Sequence, residues 1–156
     1  MTVTLKAGDP APAFDMAADG GARVSLAGLK GKAVVLYFYP KDDTSGCTNE
    51  AKGFTEAAAD FAAAGVAVVG VSKDSVASHD RFKAKYSLNL TLGSDPEGAV
   101  LEAYGVWVEK SMYGRQYMGI ERATFLIDAA GVIRQVWRKV KVPGHVAQVL
   151  AAAKGL

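Results

Sequence analysis

The stretch YFYPKDDTSGCTNE, residues 37–50, contains the only cysteine of the chain, Cys47. The apolar run Ala33–Tyr39 stops at Pro40, a short polar turn follows, and a helix-like segment opens near Thr44. Cys47 falls in the first turn of that segment. A thiol there faces unpaired backbone N–H groups and the positive end of the helix dipole, both of which favour the nucleophilic thiolate. A lone cysteine is otherwise commonly a small buried hydrophobe. The flanking Lys41, Asp42, Asp43, Thr44, Ser45 and Asn49 read as a wet loop and speak against burial. Pro40 stiffens the turn, and Thr44 offers a hydroxyl close to the sulfur or to a bound oxygen. Residue types alone leave a reactive and a structural cysteine both open.

Outward from this junction, the continuous Val- and aromatic-rich run Ala33–Tyr39 is the pattern of a central strand covered on both faces. Before it, residues 1–12 read as an irregular lead-in punctuated by Gly8, Pro10 and Pro12. Phe14–Ala17 and Arg23–Leu26 flank an Asp19-Gly20-Gly21 turn as a small hairpin, and Ser25–Lys30 holds a helical turn ending at Gly31. After it, one helix is predicted over Ser45–Ala64, with Phe54, Ala57, Ala58, Phe61 and Ala62 at helical spacing and Gly65 as its stop. Val66–Ser72 is a second buried strand, so strand, helix and strand imply a parallel crossover. A helix follows over Ser75–Tyr86, then a short Thr91-Leu92 segment and a helix over Glu97–Tyr104. Residues 105–119, rich in Gly, Met and aromatics with little period, read as a loop or lid. Ala123–Asp128 and Val132–Arg138 form a hairpin about Ala130-Gly131, and a last helix spans Gly144–Lys154.

The chain of 156 residues fits a single domain, 1–156, large enough to bury most of its apolar surface. Half its residues are hydrophobic and 22% are charged, which is ordinary for a soluble globular protein. A net charge of +2 gives no case for nucleic acid, and Arg138–Lys141 reads as a solvated strand end. No run approaches membrane-spanning length, and MTVTLKAGDPAP lacks the basic start and apolar core of a signal peptide, so the cytoplasm is the default. One cysteine makes no internal disulfide. His79 and His145 stand in no ligand-like spacing, so no metal is expected, and no glycine-rich phosphate loop is present.

Pro40, Thr44 and Cys47 stand in a P-x-x-x-T-x-x-C spacing. This stretch resembles the active-site loop of a peroxiredoxin, and its wording is similar to the bacterioferritin comigratory protein, or peroxiredoxin Q, branch. The resemblance continues through Gly8–Phe14 (GDPAPAF), Ser94–Gly98 (SDPEG), Met112–Gly119 (MYGRQYMG) and Glu121–Asp128 (ERATFLID), in order along nearly the whole chain. It implies an α/β thioredoxin fold of the peroxiredoxin type, with a central mixed β-sheet flanked by helices and an N-terminal hairpin. It also implies reduction of hydrogen peroxide and organic hydroperoxides by one cysteine cycling from thiolate to sulfenic acid, without cofactor or metal, and it points to a monomer.

The same resemblance implies that Arg122, in Arg122-x-Thr124-Phe125, lowers the thiol pKa and binds the peroxide. Spacing alone does not choose it over Arg115 or Arg134. Backbone N–H groups near Gly46 and Cys47 are expected to help stabilise the leaving oxyanion. Glu50, one helical step past Cys47, either orients Arg122 or is a solvated helix residue, and Tyr39 either lines the pocket or is a core aromatic. The chain departs from the branch in its second cysteine and in its turn. Many members carry a second cysteine in a CTxEAC pattern where this chain has Lys52, others place it on the next helix where this chain reads Arg81-Phe82-Lys83-Ala84-Lys85, and Ser45 replaces the proline usual before Gly-Cys. With no resolving cysteine, the sulfenic acid needs an external thiol: thioredoxin, glutathione with glutaredoxin, a small thiol, or Cys47 of a second copy. The rival readings are a peroxide-sensing or chaperone-like binding protein with weak turnover, and a thiol–disulfide oxidoreductase, which ordinarily wants C-x-x-C.

Overall fold

The computed structural model describes residues 4–156, so the first three positions of the predicted lead-in lie outside the described residues. The apolar run forms strand β3, Ala33–Phe38, and its alternating side chains feed two separate cores. Val34, Leu36 and Phe38 point into one, Val35, Tyr37 and Tyr39 into the other. A strand dressed on both faces loses the polar alternation of a half-exposed one, which is why the run reads as continuously apolar.

The first elements are β1 (Asp15–Ala18) and β2 (Arg23–Ser25), joined by a 3₁₀ turn at Asp19–Gly21 and followed by a second at Ala27–Leu29. After β3 come α1 (Ser45–Glu56), α2 (Ala58–Ala63), β4 (Val66–Ser72), α3 (Val76–Tyr86), β5 (Thr91–Ser94) and α4 (Ala99–Ala103). The chain ends with β6 (Trp107–Met112), β7 (Arg115–Ile120), β8 (Ala123–Ile127), β9 (Ile133–Trp137) and α5 (His145–Lys154). Seven strands form one mixed sheet in the order β2-β1-β5-β4-β3-β8-β9. β3, β4 and β5 run parallel, β8 is antiparallel to β3, and the N-terminal hairpin joins through β1 and β5. One core lies between the sheet and α4 with the N-terminal hairpin, and the other beneath α1, α2, α3 and α5. The described part of the lead-in is hydrogen-bonded along the 131–133 turn, with Gly8 N–H donating to the Ile133 carbonyl at 2.7 Å.

Two expectations need correction. The predicted helix 45–64 is two helices with a break at Ala57, where no Gly or Pro marks it. The break serves the core. Seven residues of straight helix would separate Phe54 and Phe61 by about 10 Å, whereas their ring centroids lie 5.8 Å apart in one cluster. Residues 105–119 are not an irregular lid. They contain the two-stranded ribbon β6–β7, closed at Tyr113-Gly114 with both φ values positive, 53° and 76°. Its outer strand is largely exposed, so it carries no period-two burial signal, and Tyr-Gly is a weaker hairpin signature than Asn-Gly. Two further helices are also shorter than predicted, with Ser75 acting as the N-cap of α3 and Gly98 as that of α4.

The stacking of Tyr37 on Phe54, with centroids 4.6 Å apart, fixes how α1 sits on the sheet. It depends on Gly70 in β4, where a Cβ would lie 2.7 Å from the Tyr37 ring. Gly70→Ala is expected to destabilise the fold by about 1–3 kcal/mol through overpacking. A urea midpoint unchanged by the substitution would show that the ring shifts freely.

Candidate active site

Cys47 is the third residue of α1, behind Thr44 at the N-cap. The N–H groups of this first turn have no helical acceptor, so they point free donors and the dipole's positive end towards whatever sits there. The thiol is nonetheless buried, at 2% exposure. The wet-loop reading is corrected here, and the reason is the helix face. Cys47, Glu50, Ala51 and Phe54 follow the i, i+3, i+4, i+7 spacing and turn inward, while Thr44, Ser45 and Asn49 face out. Asp42, also read as wet, is buried as well.

Arg122 reaches this face from the strand beside β3. The antiparallel register pairs Phe38 with Ala123, which sets Arg122 at the end of β3 where the loop to Cys47 departs. Its Nη2 donates to Cys47 Sγ at 3.3 Å, and its Nη1 donates to Glu50 Oε1 at 2.7 Å. Gly46 permits the approach, since a Cβ there would lie 3.2 Å from Nη2. Burial opposes the guanidinium's charge, but Glu50 and Cys47 outweigh it and hold Arg122 above its ordinary value. Arg115 and Arg134 take no part: Arg115 is exposed in β7, and Arg134 pairs with Asp128.

Glu50 is fully buried, and its Oε2 has no hydrogen-bond partner among the described residues. Burial pushes its carboxyl up to about 7 although Arg122 pulls the other way. A side chain in this position is not a solvated helix residue, and of the two readings of Glu50 only contact with Arg122 remains. Tyr39 resolves likewise: it is buried, and its hydroxyl donates to Asp42 Oδ1 at 2.5 Å. Pro40 is exposed at the end of β3, and Thr44 is exposed with its hydroxyl donating to the Lys41 carbonyl at 2.9 Å. That donor is engaged, so the Thr44 oxygen has only lone pairs left to offer a ligand O–H.

Three further polar groups carry no sequence signal. Lys110 of β6 is held below its ordinary value by burial and by the charge of Arg122, with Cys47 and Glu121 acting the other way. His145 accepts or donates at 2.7 Å to the Thr124 hydroxyl, and burial together with Arg122 pushes it down to about 4, so its ring is neutral. His79 belongs to a buried polar cluster with Asp42. Only folding brings these residues to partners many positions away. Among the described residues no group of three or more His, Cys, Asp or Glu side chains converges as a metal site, and no helix is long and apolar enough to cross a membrane.

A thiol beneath a guanidinium, at a helix start with free N–H donors, can attack an electrophile whose leaving group is an oxyanion. The chain's relatives bear on that chemistry. Residues 7–136 match the AhpC/TSA family. The chain is 55% identical over 148 residues to a putative peroxiredoxin bcp of Coxiella burnetii, covering 95% of this chain and 98% of that one. It is 46% identical over 154 residues to peroxiredoxin Bcp of Bacillus subtilis, covering 99% and 98%. Among solved structures, a mutant of Xanthomonas campestris peroxiredoxin Q superposes with a TM-score of 0.90 at 44% identity, covering 97% of this chain and 99% of that one. A peroxiredoxin Q mutant of Xylella fastidiosa gives a TM-score of 0.93 at 38% identity, covering 98% of each. The thioredoxin-type α/β fold expected from the resemblance is the fold observed. With a single cysteine and no resolving partner, the chain belongs to the AhpC/TSA family as a thiol-dependent peroxidase of the peroxiredoxin Bcp, or peroxiredoxin Q, type.

Proposed function

We propose that Cys47 is the peroxidatic residue and that Arg122, Thr44, Gly46 and Glu50 build its site. The observation that carries this reading is the contact of the Arg122 guanidinium with Sγ at 3.3 Å, backed by the carboxyl of Glu50. The Cys47 thiolate attacks the terminal oxygen of a hydroperoxide. An S–O bond forms, the O–O bond breaks with its electron pair leaving on the distal oxygen, and that oxyanion takes a proton to become water or an alcohol. The Arg122 N–H groups and the N–H donors near Gly46 and Cys47 face the charge that develops on the departing oxygen. Thr44 accepts from the peroxide O–H, and Pro40 shapes the turn that sets Thr44. Tyr39 acts at one remove, by anchoring Asp42 in the loop.

The product is Cys47 sulfenic acid. An external thiol condenses with it, releasing water and leaving a mixed disulfide, and a second thiol reduces that disulfide to restore Cys47. Thioredoxin, or glutathione with glutaredoxin, supplies these thiols in this reading, and residues 1–156 act as one domain, a monomer in the cytoplasm. The alkyl peroxide reduction attributed to the Xanthomonas campestris bacterioferritin comigratory protein extends the substrate class here to organic hydroperoxides.

Stopped-flow mixing of the reduced protein with hydrogen peroxide or an alkyl hydroperoxide, followed by mass spectrometry of Cys47, tests the assignment. Oxidation far faster than that of a free thiol is expected, and Arg122→Ala is expected to slow it about 10²–10³-fold. A wild-type rate no faster than a free thiol would sink the enzymatic reading and favour a binding or sensing role.

Gly46→Ala separates chemistry from folding. Alanine is the better helix former, so thermal stability is expected to hold or rise by up to about 1 kcal/mol. Displacement of Arg122 by a few tenths of an ångström is expected to slow the peroxide step about tenfold. Equal rates in the two proteins would show that the guanidinium need not sit against the helix start.

Glu50 makes stability depend on pH. Its carboxyl ordinarily titrates near 4.5 and is raised to about 7 in the folded chain. The folded state therefore holds a proton that the unfolded chain releases, and that advantage is full below about 4.5 and lost as pH rises through about 7. The loss is on the order of 3 kcal/mol. Glu50→Gln is expected to flatten this part of the stability profile, read as the wild-type-minus-variant difference in urea unfolding free energy across that window. An unchanged slope would mean that Glu50 ionises as it does in water.

A further inference from the structure

His79, which the peroxide chemistry leaves unused, sits where both ring nitrogens face oxygen. Nε2 lies 2.9 Å from the Gly93 carbonyl, which can only accept, so Nε2 carries a hydrogen. Nδ1 lies 2.7 Å from Asp42 Oδ2, an oxygen that already accepts from the Ser78 hydroxyl at 2.8 Å. A neutral ring would turn a lone pair towards that carboxylate. A proton between Nδ1 and Oδ2 removes the conflict, so the geometry calls for a ring hydrogen on each nitrogen. The side chains are 0% and 4% exposed, which leaves no water to mediate.

The surroundings agree. Facing the ring are Asp42 from the catalytic loop, Asp74 from the turn after β4, the Tyr39 hydroxyl from β3 and only a carbonyl from β5. On α3 itself, Asp80 and Lys83 are engaged by the 19–20 turn instead. Burial works against an imidazolium, but the hydrogen bond and charge of Asp42, then the Gly93 carbonyl and Asp74, outweigh it and raise His79 above its ordinary value.

The pair grips the loop that leads into the Cys47 turn. Asp42 donates its N–H to Asp74 Oδ2 at 2.9 Å. Asp43, in a left-handed conformation at φ 61°, is held by Lys85 and Tyr86. Ser78, His79, Lys85 and Tyr86 all belong to α3 or its end, so one helix closes the loop from four side chains. Cys47, in the first turn of the helix that follows this loop, is 2% exposed, although an external thiol must reach its sulfur.

We infer that His79 is a positioning residue: its protonated ring, paired with Asp42, holds the Pro40–Thr44 loop against α3 and with it the first turn of α1 in which Cys47 is buried, and loss of the shared proton frees the loop and opens the sulfur to an external thiol. The inference rests on Cys47 as the reacting residue. Because the folded-state value is raised, the latch is fully present below the ordinary histidine range and is lost as pH climbs through the raised value.

The test uses the full reduced chain and does not depend on turnover. With only two histidines, ¹⁵N imidazole spectra distinguish the rings. His79 is expected to show both nitrogens protonated at neutral pH and to titrate above about 6.5, while the other ring stays neutral there. Hydrogen–deuterium exchange of the 40–48 segment, corrected for the intrinsic pH effect, is expected to rise about tenfold as that ring titrates. In His79→Gln, which cannot titrate, exchange is expected to be already fast and flat with pH. A singly protonated His79 ring at neutral pH overturns the proposal even if the variant does not fold, and so does the same pH-dependent rise in His79→Gln. If both readouts succeed while peroxide oxidation is slow, the latch stands and the peroxidatic assignment falls.

Discussion

The site depends on one guanidinium shared between a strand and a helix. Arg122 leaves the start of β8 and divides its donors between Cys47 and Glu50, both on the inner face of α1. Charges this deeply placed are costly unless paired, and removing one partner leaves the others exposed to that cost. The constraint explains several neighbours at once. Gly46 is a glycine against the guanidinium, His145 is kept neutral beside it, and Lys110 is held below its ordinary value. Glu50, raised to about 7, draws on the same positive charge as the sulfur. A permanently ionised carboxylate would claim more of it.

That arrangement is set by pairing at long range. Each step of the β3–β8 ladder fixes the next, from Val34 opposite Ile127 to Phe38 opposite Ala123, so residue 122 arrives at the end of β3. A slip of one residue would turn Arg122 to the other face of the sheet. The two aromatic stacks beneath α1 hold the remaining side of the triangle, Tyr37 on Phe54 and Phe54 near Phe61. The break at Ala57 is the price of keeping both rings in one core.

What the sequence made legible follows from how local each signal is. A strand buried on both faces, a proline at its end and a helix opening at Thr44 are local, and residues 33–50 could be read from them. Arg122 could not, because its partner lies 75 residues away, and only resemblance to a family singled it out. The burial of Cys47 was misread for a different reason. Its neighbours in sequence are polar, but a helix sorts residues by face, and the 47, 50, 51, 54 spacing was the signal that outweighed them. The β6–β7 ribbon stayed hidden because a strand exposed on both faces has no alternation to display. Asp42 read as wet loop for the same reason as Cys47, and its contact with His79, 37 positions away, is made only by the tertiary fold.

A one-cysteine peroxidase faces two demands on the same sulfur. The oxidation step needs a small peroxide held tightly against the reacting sulfur with water kept away, which favours a closed site. The reduction step needs a bulkier thiol to approach the same atom. In the branch this chain resembles, a second cysteine at position 52 would meet the second demand from within. Here Lys52 stands there, its ammonium 4.9 Å from the centre of the Tyr86 ring, so the position ties α1 to α3 instead of supplying a thiol. Such an exposed contact is worth about 0.5–1 kcal/mol. Lys52, Asp43 with Lys85 and Tyr86, and Asp42 with His79 all act between the same two segments. With no second thiol in the chain, the ties between this stretch and α3 are ion pairs, a cation–π contact and a shared proton, interactions that respond to the solution and not to the redox state of a second cysteine.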